Sequence, residues 1–201
     1  MGLTTGIIMK KILFLILPAL GLLTVGCSNM KIEDFEGKQP KFVLEQYFNG
    51  KTRAWGIVKD RFGNIRRQFT VDMTGTWDGK VLILDESFRY DDGETDQRVW
   101  RVHKISDHDY VGEAEDVIGK AIGKAYGSAL NWSYTLALKI GGRTWNVKFD
   151  DWMFLQPDGV LFNSAKMSKF GITIGEITLF FKKPDEKSQA SAKNSFAVAA
   201  E

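Results

Sequence analysis

Cysteine is almost absent from this sequence, with Cys27 the one example in 201 residues. Disulfide bonds within the chain are thereby excluded, and stability has to come from packing. Histidine is nearly as scarce. His103 and His108 stand across an expected strand end at a separation that matches no standard zinc spacing, so no metal site is expected. A charge excess is also missing. The chain holds 27 basic and 25 acidic residues, and the surplus is Lys10 and Lys11, so the residues after position 26 balance. That balance argues against a nucleic-acid partner, whose usual mark is a basic excess. No Gly-x-Ser-x-Gly, P-loop or dinucleotide fingerprint occurs, which leaves nucleophilic hydrolysis and nucleotide chemistry without support and predicts no cofactor.

One long apolar run is present, from Ile12 to Gly26. It falls short of the roughly 20 residues that a membrane-spanning helix needs, and the lysines before it and the small residue at its end fit a secretory signal. Leu23-Thr24-Val25-Gly26-Cys27-Ser28 resembles the lipobox of bacterial lipoproteins, with Thr24 where Leu is more usual. The resemblance implies cleavage before Cys27, a diacylglycerol on its thiol and an acyl group on the new amine. Each buried CH₂ is worth about 0.8 kcal/mol and about two chains suffice for stable anchoring, so three would hold firmly. Ser28, rather than Asp, implies the outer membrane, with the protein on the periplasmic face. The expected organisation is a signal peptide over 1–26, a lipidated tether over 27–39, one barrel domain over 40–183 and a disordered tail over 184–201.

Fourteen Phe, six Trp and five Tyr supply a core, and the aromatic content leans toward strands. Pro40 opens a short helical pattern, Lys41–Phe48, closed by Asn49-Gly50. From Thr52 the period becomes two. Ile65, Phe69, Val71, Met73 and Trp77 alternate with polar residues over Ile65–Trp77, and only Arg67 breaks the apolar face. Further strands are expected over Thr52–Lys59, Lys80–Tyr90, Gln97–Lys104, Tyr110–Glu115, Trp132–Ile140, Arg143–Phe149, Val160–Met167 and Ile172–Lys182. Turn signals such as Asp78-Gly79, Gly141-Gly142 and Pro157-Asp158-Gly159 separate several of them. The pattern predicts an all-β, antiparallel up-and-down barrel of lipocalin-like, calycin type, with about eight to ten strands and one short N-terminal helix. A meander of that length closes so that no edge is left bare.

Asp116 to Leu130 fits either period. A helix would place Ile118, Ile122, Tyr126 and Leu130 on one stripe, while Gly119, Gly123 and Gly127 would each cost it about 1 kcal/mol relative to alanine. An extended or irregular conformation is therefore preferred. Its small-residue face would leave room for a ligand inside a barrel, whose interior holds either side chains or one small molecule.

Glu86-Ser87-Phe88, Tyr90-Asp91-Asp92-Gly93, Arg98-Val99-Trp100, Phe149-Asp150-Asp151-Trp152-Met153 and Met167-Ser168-Lys169-Phe170-Gly171 together resemble the bacterial lipoprotein family of domain of unknown function 3833. The resemblance covers nearly all of the chain after the signal. It implies a lipocalin-like barrel and no established activity, so no catalytic residue is carried over.

Glu86 shares its parity with Leu84, Phe88 and Tyr90, and Arg98 with Trp100, so the two are expected to meet inside the barrel. The pair either anchors a ligand's acidic group through Arg98 or closes the barrel. Asp150-Asp151-Trp152 is expected at a turn, where one carboxylate either orients a ligand or bonds the backbone. The leading reading is a binding module for a hydrophobic molecule, fatty acyl or lipid. Phe88, Tyr90, Trp100, Trp132, Tyr134 and Trp152 are its lining candidates, and Arg98 and Lys169 its polar anchors. The alternatives are an interaction lipoprotein with a filled barrel and a lipid-acting enzyme using Glu86, Asp150 or Asp151 as acid or base.

Overall fold

Inward and outward residues alternate along nearly the whole chain after Gly50, and each alternating run becomes a strand. In order these are β1 (Gly50–Asp60), β2 (Ile65–Trp77), β3 (Val81–Tyr90), β4 (Thr95–Lys104), β5 (Asp109–Glu113), β6 (Ala121–Tyr126), β7 (Ala129–Ile140), β8 (Arg143–Leu155), β9 (Leu161–Lys169) and β10 (Ile172–Lys182). A computed structural model provides the coordinates, and its described residues are Met30–Pro184. The expected signal segment, Cys27 and the tail beyond Pro184 lie outside them.

Each strand pairs antiparallel with its sequence neighbours. β1 also pairs with β10, from Arg53 opposite Lys182 to Asp60 opposite Gly175, which closes the sheet on itself. Closure pairs the first and last strands of the meander with each other, while β4 meets β5 only over Arg101–Lys104. The architecture is the expected up-and-down barrel, and it is consistent with a lipocalin-like one.

The two ends of the barrel differ. Helix α1 (Leu44–Phe48) lies at the end that carries the β2–β3, β4–β5, β6–β7 and β8–β9 turns. There Phe42, Leu44 and Phe48 join Val71, Leu82, Val102, Tyr110, Leu130, Leu161 and Phe181 in one buried cluster. At the other end, Arg67, Phe88, Tyr90, Leu138 and Ile177 face inward but stay only half-buried. The first end is a plug and the second a mouth.

A buried ionic clip holds α1 in place. Lys104 Nζ donates to Glu45 at 2.8 Å and the Tyr110 hydroxyl donates to the same carboxylate at 2.9 Å. Burial pushes the Glu45 carboxyl up, but the bonds from Lys104, its own backbone N–H and Tyr110 outweigh it and hold the group below its ordinary value.

Three expectations need correction. The helix starts at Leu44 rather than at Lys41, because the Phe42 N–H donates to the Gly127 carbonyl on the barrel rim at 2.7 Å and keeps that stretch extended. Residues from Met30 to 39 are not a free tether. Ile32–Phe35 form a 3-10 turn with Ile32 buried, and Phe35 packs its ring on Trp152 and Phe154. Asp150-Asp151-Trp152 is not a turn but part of β8, which runs on to Leu155. The ambiguous Asp116–Leu130 stretch is extended, forming β6, a Gly127-Ser128 turn and the start of β7.

Candidate functional site

Strand parity gathers the inward polar side chains at mid-barrel. Register places Glu86 of β3 directly opposite Arg98 of β4, and Arg98 Nη1 lies 3.8 Å from the Glu86 carboxylate. Asp116, on the loop after β5, reaches in and accepts from Arg98 Nε at 3.1 Å and from Nη2 at 2.7 Å. Two carboxylates thus flank one guanidinium. On the facing wall, Asp151 of β8 is buried and accepts from the Tyr134 hydroxyl at 3.2 Å and from the Asn163 amide. Trp100 joins the two walls, opposing the rise of the Glu86 carboxyl on one side and meeting the Tyr134 ring edge-on at 5.6 Å on the other.

Burial dominates the electrostatics here. It raises the Glu86 carboxyl to about 7 against the pull of Arg98 and Trp100, with the nearby carboxylates Asp116 and Asp151 adding to the rise. It also raises Asp151 to about 6, although the bonds from Asn163 and Tyr134 oppose it. Burial works against charge on Arg98 as well, but Glu86 and Asp116 reverse the outcome and hold it fully protonated. The Tyr134 phenol is pushed well up by burial and then by Asp151. At neutral pH the cluster therefore combines one compensated cation with carboxyl groups close to their midpoints.

Glu86 and Arg98 face the barrel axis and still touch open space, whereas Asp151 and Asn163 are buried. Glu86 keeps 13% of its side-chain surface and Arg98 20%, while the neighbouring Leu82 and Leu161 toward the plug keep almost none. Accessible inward side chains above a packed floor mean that the lumen is filled below and roomier above. Near the mouth the walls are aromatic. Phe69, Phe88 and Tyr90 lie within 6.2 Å of one another by ring centroid, and the Arg67 guanidinium covers Tyr90 at 3.5 Å. Asp92 and Glu94 on the β3–β4 turn bind Arg67 from above.

Of the residues singled out from sequence, Phe88, Tyr90, Arg98, Trp100, Trp132, Tyr134 and Asp151 all face the barrel interior. Trp152 faces outward onto Phe35 and Phe154, and Asp150 points outward to accept from Asn131 at 2.8 Å. Lys169 sits at the rim over the Trp145 ring at 3.8 Å. The glycines line no open cavity. A Cβ on Gly123 would meet the Trp132 ring at 2.7 Å, so the indole already fills the room that the small residue leaves. One on Gly127 would meet the Phe35 carbonyl oxygen at 1.9 Å, so this glycine admits the N-terminal segment, while Gly119 stands in a turn with a positive φ of 75°.

Asp116 and Asn163 complete the cluster without having been singled out. Asn163 has a readable signal, a polar residue at the parity of Leu161, Ala165 and Met167. Its Oδ1 is buried with no hydrogen-bond partner.

The family model described as protein of unknown function (DUF3833) matches residues 21–183, which takes in every strand of the barrel. The chain belongs to this family. No curated protein matches the sequence. In this DUF3833 chain, among the described residues, no group of three or more His, Cys, Asp and Glu side chains is placed to hold a metal ion. Nor is any described helix long and apolar enough to cross a membrane.

Proposed function

We propose that this DUF3833 protein is a bacterial cell-envelope lipoprotein, anchored through acylated Cys27 at the periplasmic face of the outer membrane. Its barrel binds one hydrophobic molecule of fatty-acyl or lipid character. The observation that carries the reading is the accessible polar cluster at mid-barrel beneath an aromatic mouth. Buried polar groups cost free energy unless bonded, and a few placed polar groups among apolar walls are the usual form of a small-molecule site.

The cluster also constrains the ligand's polar end. Arg98 is engaged by Asp116 and Glu86, so a free carboxylate would meet a guanidinium already neutralised by those two acids. The groups with spare capacity are acceptors: Asn163 Oδ1, Glu86 and Asp151. A head that donates hydrogen bonds, such as an amide, hydroxyl or amine, fits them. Its apolar body would lie among Phe88, Tyr90, Leu138 and Ile177. The reading of Arg98 as a carboxylate anchor gives way to this one.

The test is lipid extraction and native mass spectrometry of the full chain purified from membranes, beside an Ile177→Trp variant that fills the upper lumen. One acyl species per chain, lost in the variant, supports the site. Equal carry-over in both refutes it. A second reading, an interaction protein with a filled barrel, is favoured by the Trp132 ring in the space beside Gly123, and absence of any acyl species from the wild type would favour it over the binding module.

A further inference from the structure

The outer surface of the barrel carries an aromatic band that neither the core nor the lumen uses. Phe154 of β8, Phe162 of β9, Phe180 of β10 and Trp55 of β1 are successive register partners across four adjacent strands, all facing outward. Their spacing is close, with Phe154 to Phe162 at 6.3 Å and Phe162 to Phe180 at 5.3 Å between ring centroids. Phe35 and Trp152 extend the band at its β8 end. Outward positions of a water-facing barrel alternate toward polar residues, yet Trp55 is 46% exposed and Phe180 49%. A contiguous exposed apolar patch marks a contact surface.

Three observations identify what it contacts. The band lies toward the plugged end, where the chain enters the fold. Lys31 begins the 3-10 turn packed beside β6 and β7, and it lies only four residue steps after Cys27. Four steps of extended chain reach at most about 14 Å. Beside the band, a surface cleft gathers Lys51, Arg53, Lys182 and Lys183 around Trp55, with Asp72 as its carboxylate, and Arg53 lies over the Trp55 ring at 5.7 Å. Aromatic rings flanked by Lys and Arg suit the interface of a bilayer with anionic headgroups.

We infer that this band, Trp55 with Phe154, Phe162 and Phe180, lies against the surface of the anchoring membrane and holds the barrel with its plug toward the lipid and its mouth away. The inference rests on the lipoprotein reading of Cys27. It goes beyond that reading by giving the barrel one orientation. A tether alone would let the domain tumble, whereas an apolar band close to the anchor binds at the high effective concentration that the short linker sets.

The experiment uses the full-length acylated chain in liposomes of phosphatidylethanolamine and phosphatidylglycerol. A polarity-sensitive dye is placed by single substitutions Phe180→Cys and Trp55→Cys on the band, Val99→Cys on β4 across the barrel, and Phe170→Cys at the mouth. Mass spectrometry first establishes that Cys27 carries lipid and no dye. The expected result is a blue-shifted emission at both band positions, quenched by nitroxide lipids and weaker in liposomes lacking phosphatidylglycerol, with neither effect at Val99 nor Phe170. An acylated protein whose band dyes remain water-like overturns the docking and leaves the lipoprotein reading intact. A shift at Phe170 alone would put the mouth on the membrane and equally overturn it. An unacylated Cys27 overturns both.

Discussion

Glu86 is the residue on which most of the site's electrostatics turns. Its native pKa of about 7 lies above the ordinary carboxyl range, so the folded state keeps a proton that the unfolded chain releases as pH rises through 4 to 5. Stability from this group is therefore complete in acid and is lost as pH rises toward 7 and beyond. Glu86→Gln should flatten the stability profile between about pH 5 and 8, by on the order of 2 kcal/mol, as read by urea denaturation across that range. A profile identical to wild type would place Glu86 in water. Gly123 gives a second prediction at this scale. Gly123→Val drives a Cβ into the Trp132 ring, and should cost about 1 to 3 kcal/mol by denaturant midpoint at unchanged slope. An unaffected midpoint would mean that Trp132 yields freely. Of the cluster itself, Glu86 and Arg98 were readable because strand parity fixes which face a residue takes. Asp116 was not, since a loop residue has no parity and its inward reach depends on how the β5–β6 connection folds back.

Helix α1 is short, and five residues do not sustain a helix in water. Its persistence depends on apolar burial and on the Glu45 clip. Glu45→Ala leaves Tyr110 without its acceptor and Lys104 with only Asp107 at 3.8 Å, and should cost about 2 kcal/mol, less than a fully buried pair because Lys104 is partly exposed. The wild-type contribution should disappear in acid, as pH falls through the depressed Glu45 pKa, and hydrogen exchange at residues 44–48 would report it. Exchange in the variant matching wild type would contradict the clip. The elements themselves were legible where two signals agreed. Ile65–Trp77 is bounded by Asn64 and Asp78, and Ile172–Lys182 by Gly171 and Lys183-Pro184, and in both the alternation gives the strand to the residue. β8 was read too short, because two successive acids look like a turn. The strand continues through them because Asp150 faces outward to Asn131, while Asp151 faces inward to Asn163 and Tyr134.

At the scale of the molecule, closure between β1 and β10 was legible as the way a long meander hides its edges, whereas the difference between the two ends was not. The plug arises from side chains far apart in sequence, with Phe42 and Phe48 packed among residues from β2 to β10. The mouth arises from what those residues leave uncovered. The outer aromatic band depends on register across four strands, which no single strand's pattern reveals. The central claim is that the upper lumen receives an amphipathic molecule whose head donates hydrogen bonds. The most direct measurement is a fluorescence titration of the full chain in nanodiscs with two probes of equal acyl length, one ending in a primary amide and one in a carboxylate. The account predicts saturable one-to-one binding that favours the amide at pH 8, and at least a fivefold weaker affinity in Asn163→Ala. Tighter binding of the carboxylate, or no saturable binding of either probe, would contradict it.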